Sequence, residues 1–146
     1  MGLSMRVYVD KAELSRLRAS LPPDHTHGLQ PHELIELAAR ALENRDARRA
    51  IDLTQAALVL DPDNAVALRL VGEALVLVGD RHSAQRAFER AILEDPNDWH
   101  SACELARLHA AAGRHDEARS IAAMLTSNAD VPSDVLATLA REVTPS

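Results

Sequence analysis

Aromatic side chains are almost missing from this chain, which has only Tyr8, Phe88 and Trp99 among 146 residues. Hydrophobic residues nevertheless make up 47% of it, so its core is built from Ala, Leu, Val and Ile. Ala and Leu favour helices, and small aliphatic residues suit close helix packing better than a sandwich or barrel. Cysteine is scarcer still: Cys103 stands alone, which excludes an intramolecular disulfide. Basic charge comes from fifteen arginines and one lysine, Lys11, against 22 acids, leaving a net charge of −6. Nucleic-acid binding needs a basic face and stacking rings, and this chain has neither. The arginine bias points to a GC-rich bacterial source. No apolar run approaches the length of a membrane span, and the longest clear one is Ala74 to Val78. Val7-Tyr8-Val9 is too short for a signal-peptide core and is interrupted by Asp10. Gly2 opens no myristoylation motif, because Arg6 stands where Ser or Thr is required. The expected location is the cytoplasm.

What the chain does have is a pattern that returns every 34 residues. Leu68, Val71, Gly72, Leu75, Gly79, Ala84, Phe88, Ala91 and Pro96 form one unit. A shift of 34 backward gives Leu34, Leu37, Ala38, Ala41, Arg45, Ala50, Thr54, Ala57 and Pro62. The same shift forward gives Ala102, Leu105, Ala106, His109, Gly113, Ala118, Ala122, Leu125 and Asp130, with Pro132 two residues late. Repeats of this length are the mark of a helical solenoid, whose long concave surface holds other molecules.

Local signals divide each unit into two helices. Pro31 suits a first helical turn, and Asp46 can cap the helix after the Asn44-Arg45-Asp46 break. Gly79 and Gly113 fall where a first helix must turn with positive φ. The patterning predicts helices over 65–78, 81–94, 99–112, 115–126 and about 134–143, the last capped by Ser133. Before the repeats, Asp10 and Glu13 form an expected capping box for a helix carrying Leu14, Leu17 and Leu21. Pro22-Pro23 ends it, and residues 22–30 read as a polar linker. Ala38, Gly72 and Ala106 mark close helix crossings, opposite Ala50, Ala84 and Ala118, with Phe88 filling the wider gap between units.

These residues resemble the tetratricopeptide repeat family, whose motif runs large, Leu, small, bulky, then Ala, aromatic, Ala, Pro. The second unit matches nearly throughout; Thr54 replaces the aromatic in the first, and the third is degenerate. The resemblance implies an all-α, right-handed superhelical solenoid of antiparallel helix pairs with extra N- and C-terminal helices. The expected layout is an N-terminal helix and linker over 1–30 and three repeats over 31–132 (31–64, 65–98, 99–132). A capping helix over 133–146 completes it.

In that family the first helices line a concave, partner-binding groove. The matching positions here are His32, Ile35, Glu36, Ala39, Leu42 and Glu43; Val66, Arg69, Leu70, Glu73, Val76 and Leu77; and His100, Cys103, Glu104, Arg107 and Ala110. Members that clamp a chaperone carboxylate do so with Lys, Asn and Arg. Ile35, Ala39, Leu70, His100 and Glu104 occupy those places, so a carboxylate clamp is not expected. Ile35, Leu42, Val66, Leu70 and Leu77 instead form an apolar strip suited to an extended segment or amphipathic helix, with Arg69, Glu73 and Arg107 at its rim. The chain's own N-terminal helix or a second copy could cover the strip, so a homodimer through the groove or the terminal helices is a further expectation.

Chemistry is weakly signalled. His25, His27 and His32 lie in or beside the linker without the cysteines or acids that would complete a metal set. Cys103 and His100 share a helix face, yet no third group orients them, and Cys103 suits a helix contact. Asp116-Glu117 open a helix where acids favour the dipole. The sequence therefore points to a non-enzymatic adaptor or scaffold for a protein or peptide, with no cofactor or metal. Small acidic chaperones of type III translocator proteins are similar in length, charge and layout, which makes a bacterial secretion chaperone the sharper alternative. A self-associating domain or the regulatory domain of an enzyme complex is the third.

Overall fold

The structure, a computed structural model, describes residues 6–145. Gly2 and the Met1–Met5 start lie outside them. Among the described residues there are eight helices and no strand: α1 (Lys11–Ser20), α2 (Pro31–Glu43), α3 (Ala47–Leu60), α4 (Ala65–Leu77), α5 (Arg81–Glu94), α6 (Trp99–Ala111), α7 (His115–Leu125) and α8 (Ser133–Val143). None is long and apolar enough to cross a membrane.

Each helix begins and ends for a local reason. Asp46, Asp80 and Asp98 accept from the backbone N–H three residues on, and Asn64 does the same from Ala67. Such caps satisfy donors that the helix itself leaves unpaired. The first helices α2, α4 and α6 all end in one turn type. The N–H groups of Asp46, Asp80 and Arg114 reach back to the carbonyls of Ala41, Leu75 and His109 at 2.8, 3.0 and 2.8 Å. The residue before each is left-handed: Arg45 at φ 60°, Gly79 at 84° and Gly113 at 83°. Glycine takes that conformation freely and arginine does not, so one turn of the three carries backbone strain.

Two expected caps are different in the structure. Pro132, not Ser133, stands at the start of α8, and no side chain caps it. Asp10 caps α1 through the N–H groups of Ala12 and Glu13. The Glu13 carboxylate, however, turns outward to Arg6 and Arg86 instead of closing a box.

Packing is between neighbours: α2 on α3, α4 on α5, α6 on α7, with α3 against α4 and α5 against α6 joining the pairs. Across the stack α2 also touches α4 and α6 touches α8, while no comparable packing joins α4 to α6 or α3 to α5 among the described residues. On the second-helix side this leaves an outer cleft between α3 and α5, bridged by Tyr8 and Val9 through Gln55 and Arg90. Phe88, completely buried, lies over Gly72 of its own pair; a Cβ there would meet its Cε1 at 2.7 Å. The ring therefore fills space inside the pair, not between units, because glycine leaves room for it. Thr54, also completely buried, bonds its hydroxyl to the Ala50 and Ile51 carbonyls at 2.7 and 3.0 Å, so its polar group is satisfied within its own helix.

The buried side chains form two clusters. The larger runs from Leu34 to Leu108 and takes in Val9 and Leu14 from the N-terminal segment. The smaller joins Cys103, Ala106 and Ala118 to Leu125, Val131, Leu139 and Val143, so α8 closes the end of the stack. Ile121 borders both.

The N-terminal segment does not cover the first-helix face. Helix α1 packs on α3. The extended residues before it run across the outer cleft, where Gln55 of α3 accepts from Tyr8 N–H at 2.7 Å and donates to Tyr8 C=O at 2.8 Å. Arg90 of α5 donates to Val9 C=O at 3.1 Å. Leu14 has no solvent exposure and must be buried somewhere; the gap between second helices takes it and leaves the inner face open.

Candidate functional site

The inner face is built by the first helices. Ile35 and Leu42 are half-buried on α2 and lean on the main core. On α4, Val66 and Leu77 remain 44% and 41% exposed, whereas Leu70 keeps 7% and forms floor rather than a protruding anchor. Arg69 and Glu73 are half-buried on α4, as are Glu104 and Arg107 on α6, where His100 is exposed. Helical spacing puts these side chains on one side of their helices, and pairing with α3, α5 and α7 covers the other side.

Two adjoining cavities gather the charged members. One, of about 260 Å³, is lined by Glu73, Trp99, His100, Cys103, Glu104, Arg107 and Val135. Its neighbour, of about 200 Å³, includes Val66, Arg69, Asp98, Trp99 and His100. The Trp99 and His100 rings stack at 3.6 Å between centroids and border both cavities. Val66, Arg69, Glu73, His100, Glu104 and Arg107 thus meet around the α4–α6 junction, while Ile35, Leu42 and Leu77 line neither cavity. Three contributors were not among the expected groove residues: Trp99, Val135 and Glu142. Trp99 could have been flagged as the one large ring at a helix start. Val135 and Glu142 belong to α8, and only its packing against α6 brings them here.

Electrostatics distinguish this end. Arg107 pairs with Glu104 on its own helix and with Glu142 of α8. Burial would weaken its guanidinium, but those two carboxylates outweigh burial and hold its pKa above the ordinary arginine value. Burial raises the Glu73 carboxyl, with Glu104 and Asp98 acting in the same sense and Arg69 opposing. Burial and Arg69 lower the His100 imidazole, which favours its neutral form. Cys103 is 2% exposed, and burial pushes its thiol up, so it packs as a small apolar group. Among the described residues, no three His, Cys, Asp or Glu side chains are placed to hold a metal ion. Of the linker histidines, His25 turns Nδ1 toward the Pro22 carbonyl and His27 occupies a left-handed turn.

Residues 75–142 match the family model of the tetratricopeptide repeat. Solved structures agree on the fold over nearly the whole chain. The CopN–Scc3 complex contains a chain with TM-score 0.66 at 12% identity, covering 93% of this chain and 87% of that one. PcrH, in complex with the chaperone binding region of PopB, matches with TM-score 0.61 at 18% identity over 84% of this chain and 98% of that chain. No curated protein matches the sequence. The fold is therefore a solenoid of antiparallel helix pairs of the tetratricopeptide type.

Proposed function

We propose that this protein is a non-enzymatic binding module that holds an extended or helical segment of a partner protein along its inner face. The reading rests foremost on Val66 and Leu77, large aliphatic side chains left 44% and 41% exposed on the helix at the centre of the stack. Exposed apolar residues beside partly buried ones, with polar groups at the rim, suit a protein ligand. Ile35, Leu42, Val66 and Leu77 would take apolar anchors. Leu70 would form the floor, and Arg69, Glu73, His100, Glu104 and Arg107 would set register. The net charge of −6 favours protein over nucleic acid as partner, and a cytoplasmic, bacterial setting fits the composition.

Within this reading, a chaperone for a secreted client is favoured by one observation: the fold is shared with PcrH, which binds the chaperone binding region of PopB. The test is affinity purification from the native host, followed by binding measurements on the recovered partner. Leu77→Asp and Val66→Asp are expected to abolish capture with circular dichroism unchanged, since both positions already face water. Capture that survives both substitutions would remove the groove from the mechanism. Leu70→Asp is unsuitable for this purpose, because a carboxylate at a buried position also destabilises the fold.

A further inference from the structure

The outer cleft between α3 and α5 is a binding site with its occupant in place, and that occupant is the chain's own N-terminal arm, residues 6–20. We propose that the arm exchanges between two copies of the chain, so that each arm fills the outer cleft of the other and an arm-swapped dimer forms. Three features carry this.

First, the cleft recognises main chain. Gln55 holds both the N–H and the C=O of Tyr8, and Arg90 holds the C=O of Val9 while also meeting Asp63 and Glu94. Lys11 adds an ion pair to Asp63 at 3.1 Å. All of these partners lie on α3, α5 or the turn between α3 and α4, and none on α2, the next helix in sequence. An arm from a second copy makes every one of these contacts unchanged.

Second, the cleft cannot stay empty. Val9 and Leu14, at 2% and 0% exposure, are part of the main core, and Leu17 and Leu21 pack against it. An arm that leaves its own body uncovers this surface and must be replaced by one of the same shape, which a second copy supplies.

Third, the tether supports opening. Residues 21–30 carry Pro22 and Pro23, then two successive left-handed residues, His27 at φ 55° and Gly28 at 76°. His27 is not glycine, so this turn holds some backbone strain that an extended tether releases, in exchange for the burial of Thr26 and the packing of Leu21 and Leu29 on the core. Ten residues span roughly 33 Å when extended, enough to cross to an adjacent molecule. Strained hinges of this kind invite exchange of identical elements between copies.

The experiment uses the wild-type chain. Lys11 is its only lysine, and carbodiimide joins it to Asp63 through the ion pair they already make. Light and ¹⁵N-labelled protein are refolded together at high concentration, coupled, separated on a denaturing gel and analysed by mass spectrometry, with Lys11→Arg as the control that removes the link. Exchange predicts a covalent dimer band in which half of the 11–63 links join a light to a heavy chain. Links confined to unmixed chains in the monomer band would overturn the proposal, and so would the absence of any 11–63 link. Neither reading of the gel depends on the inner groove or its ligand.

Discussion

The three helix pairs answer one packing problem in three ways. Where α4 crosses α5, Gly72 leaves a hole and the Phe88 ring fills it. In the pair α2–α3 the equivalent residues are Ala38 and Thr54, both buried, with the Thr54 hydroxyl returned to its own helix. In the pair α6–α7 they are Ala106 and Ala122, and Ala122 is only partly buried. The middle pair therefore holds the largest filled volume. Helix α4 buries Ala67, Leu68, Leu70, Val71, Gly72, Ala74 and Leu75, whereas α7 buries only Ala118 and Leu125. The third pair also loses a cap, since Arg114 stands where the other second helices have Asp46 or Asp80. It compensates at its far side, where α8 brings Leu139 and Val143. A repeat can thus decay in sequence and keep its fold, provided the next helix supplies what it no longer buries.

This contrast can be broken at its strongest point first. Phe88→Ala is expected to cost about 3–5 kcal/mol through lost transfer energy and a cavity, read from urea unfolding. Gly72→Ala should cost about 1–3 kcal/mol by overpacking against the ring. The combination Gly72→Ala with Phe88→Leu should cost less than the two single changes together, because the residues share one space. Additive costs would mean that the ring and the glycine do not depend on each other. Next comes Leu139→Ala, expected to cost about 2 kcal/mol or more. Hydrogen exchange should show the loss in α6 to α8 while α2 to α5 keep their protection. Uniform loosening would show that the two clusters act as one.

The turns sharpen the comparison further. Gly79→Ala should destabilise by about 1 kcal/mol, and Arg45→Gly at the equivalent turn should stabilise by about 0.5 kcal/mol, both in thermal unfolding. Opposite signs for the two changes would place the strain in the turn that both residues serve. The smallest effect is electrostatic. Glu73 has a raised pKa in the folded protein, so the native state binds more protons than the unfolded chain, and stability falls as pH rises through and above the ordinary carboxylate range. Glu73→Gln should then be more stable than wild type at neutral pH, with the difference vanishing below about pH 4, the foot of the ordinary glutamate range. A difference that grows on acidification would reverse the sign of the burial argument.

Much of this architecture was legible in the residues. The 34-residue period, the glycines at 79 and 113 and the aspartate before α3 locate helices and turns, because each acts through its own neighbours. Arg45 shows the limit: its left-handed backbone follows from the repeat register and not from its chemistry. The destination of α1 was not legible. Leu14, Leu17 and Leu21 announce an apolar stripe, but either face of the solenoid offers a partner for one. Gln55 reads as a solvated helix residue until the arm lies beside it. At the inner face, helical spacing alone puts Val66, Arg69 and Glu73 on one side of α4. The cavity that Glu73 borders is also lined by Val135, and Glu142 holds its Arg107, yet α8 reaches α6 only in three dimensions.

The arm also bears on how the chain comes to be folded. Nearly all packing joins helices adjacent in the stack, the local kind of contact that forms fast and can spread from any pair. The bond from Arg90 to Val9 spans 81 residues and cannot form until α5 has been brought up to the α3–α4 pair that the arm lies against. The arm is therefore a latch on a zipper: it waits for the teeth to mesh and closes last.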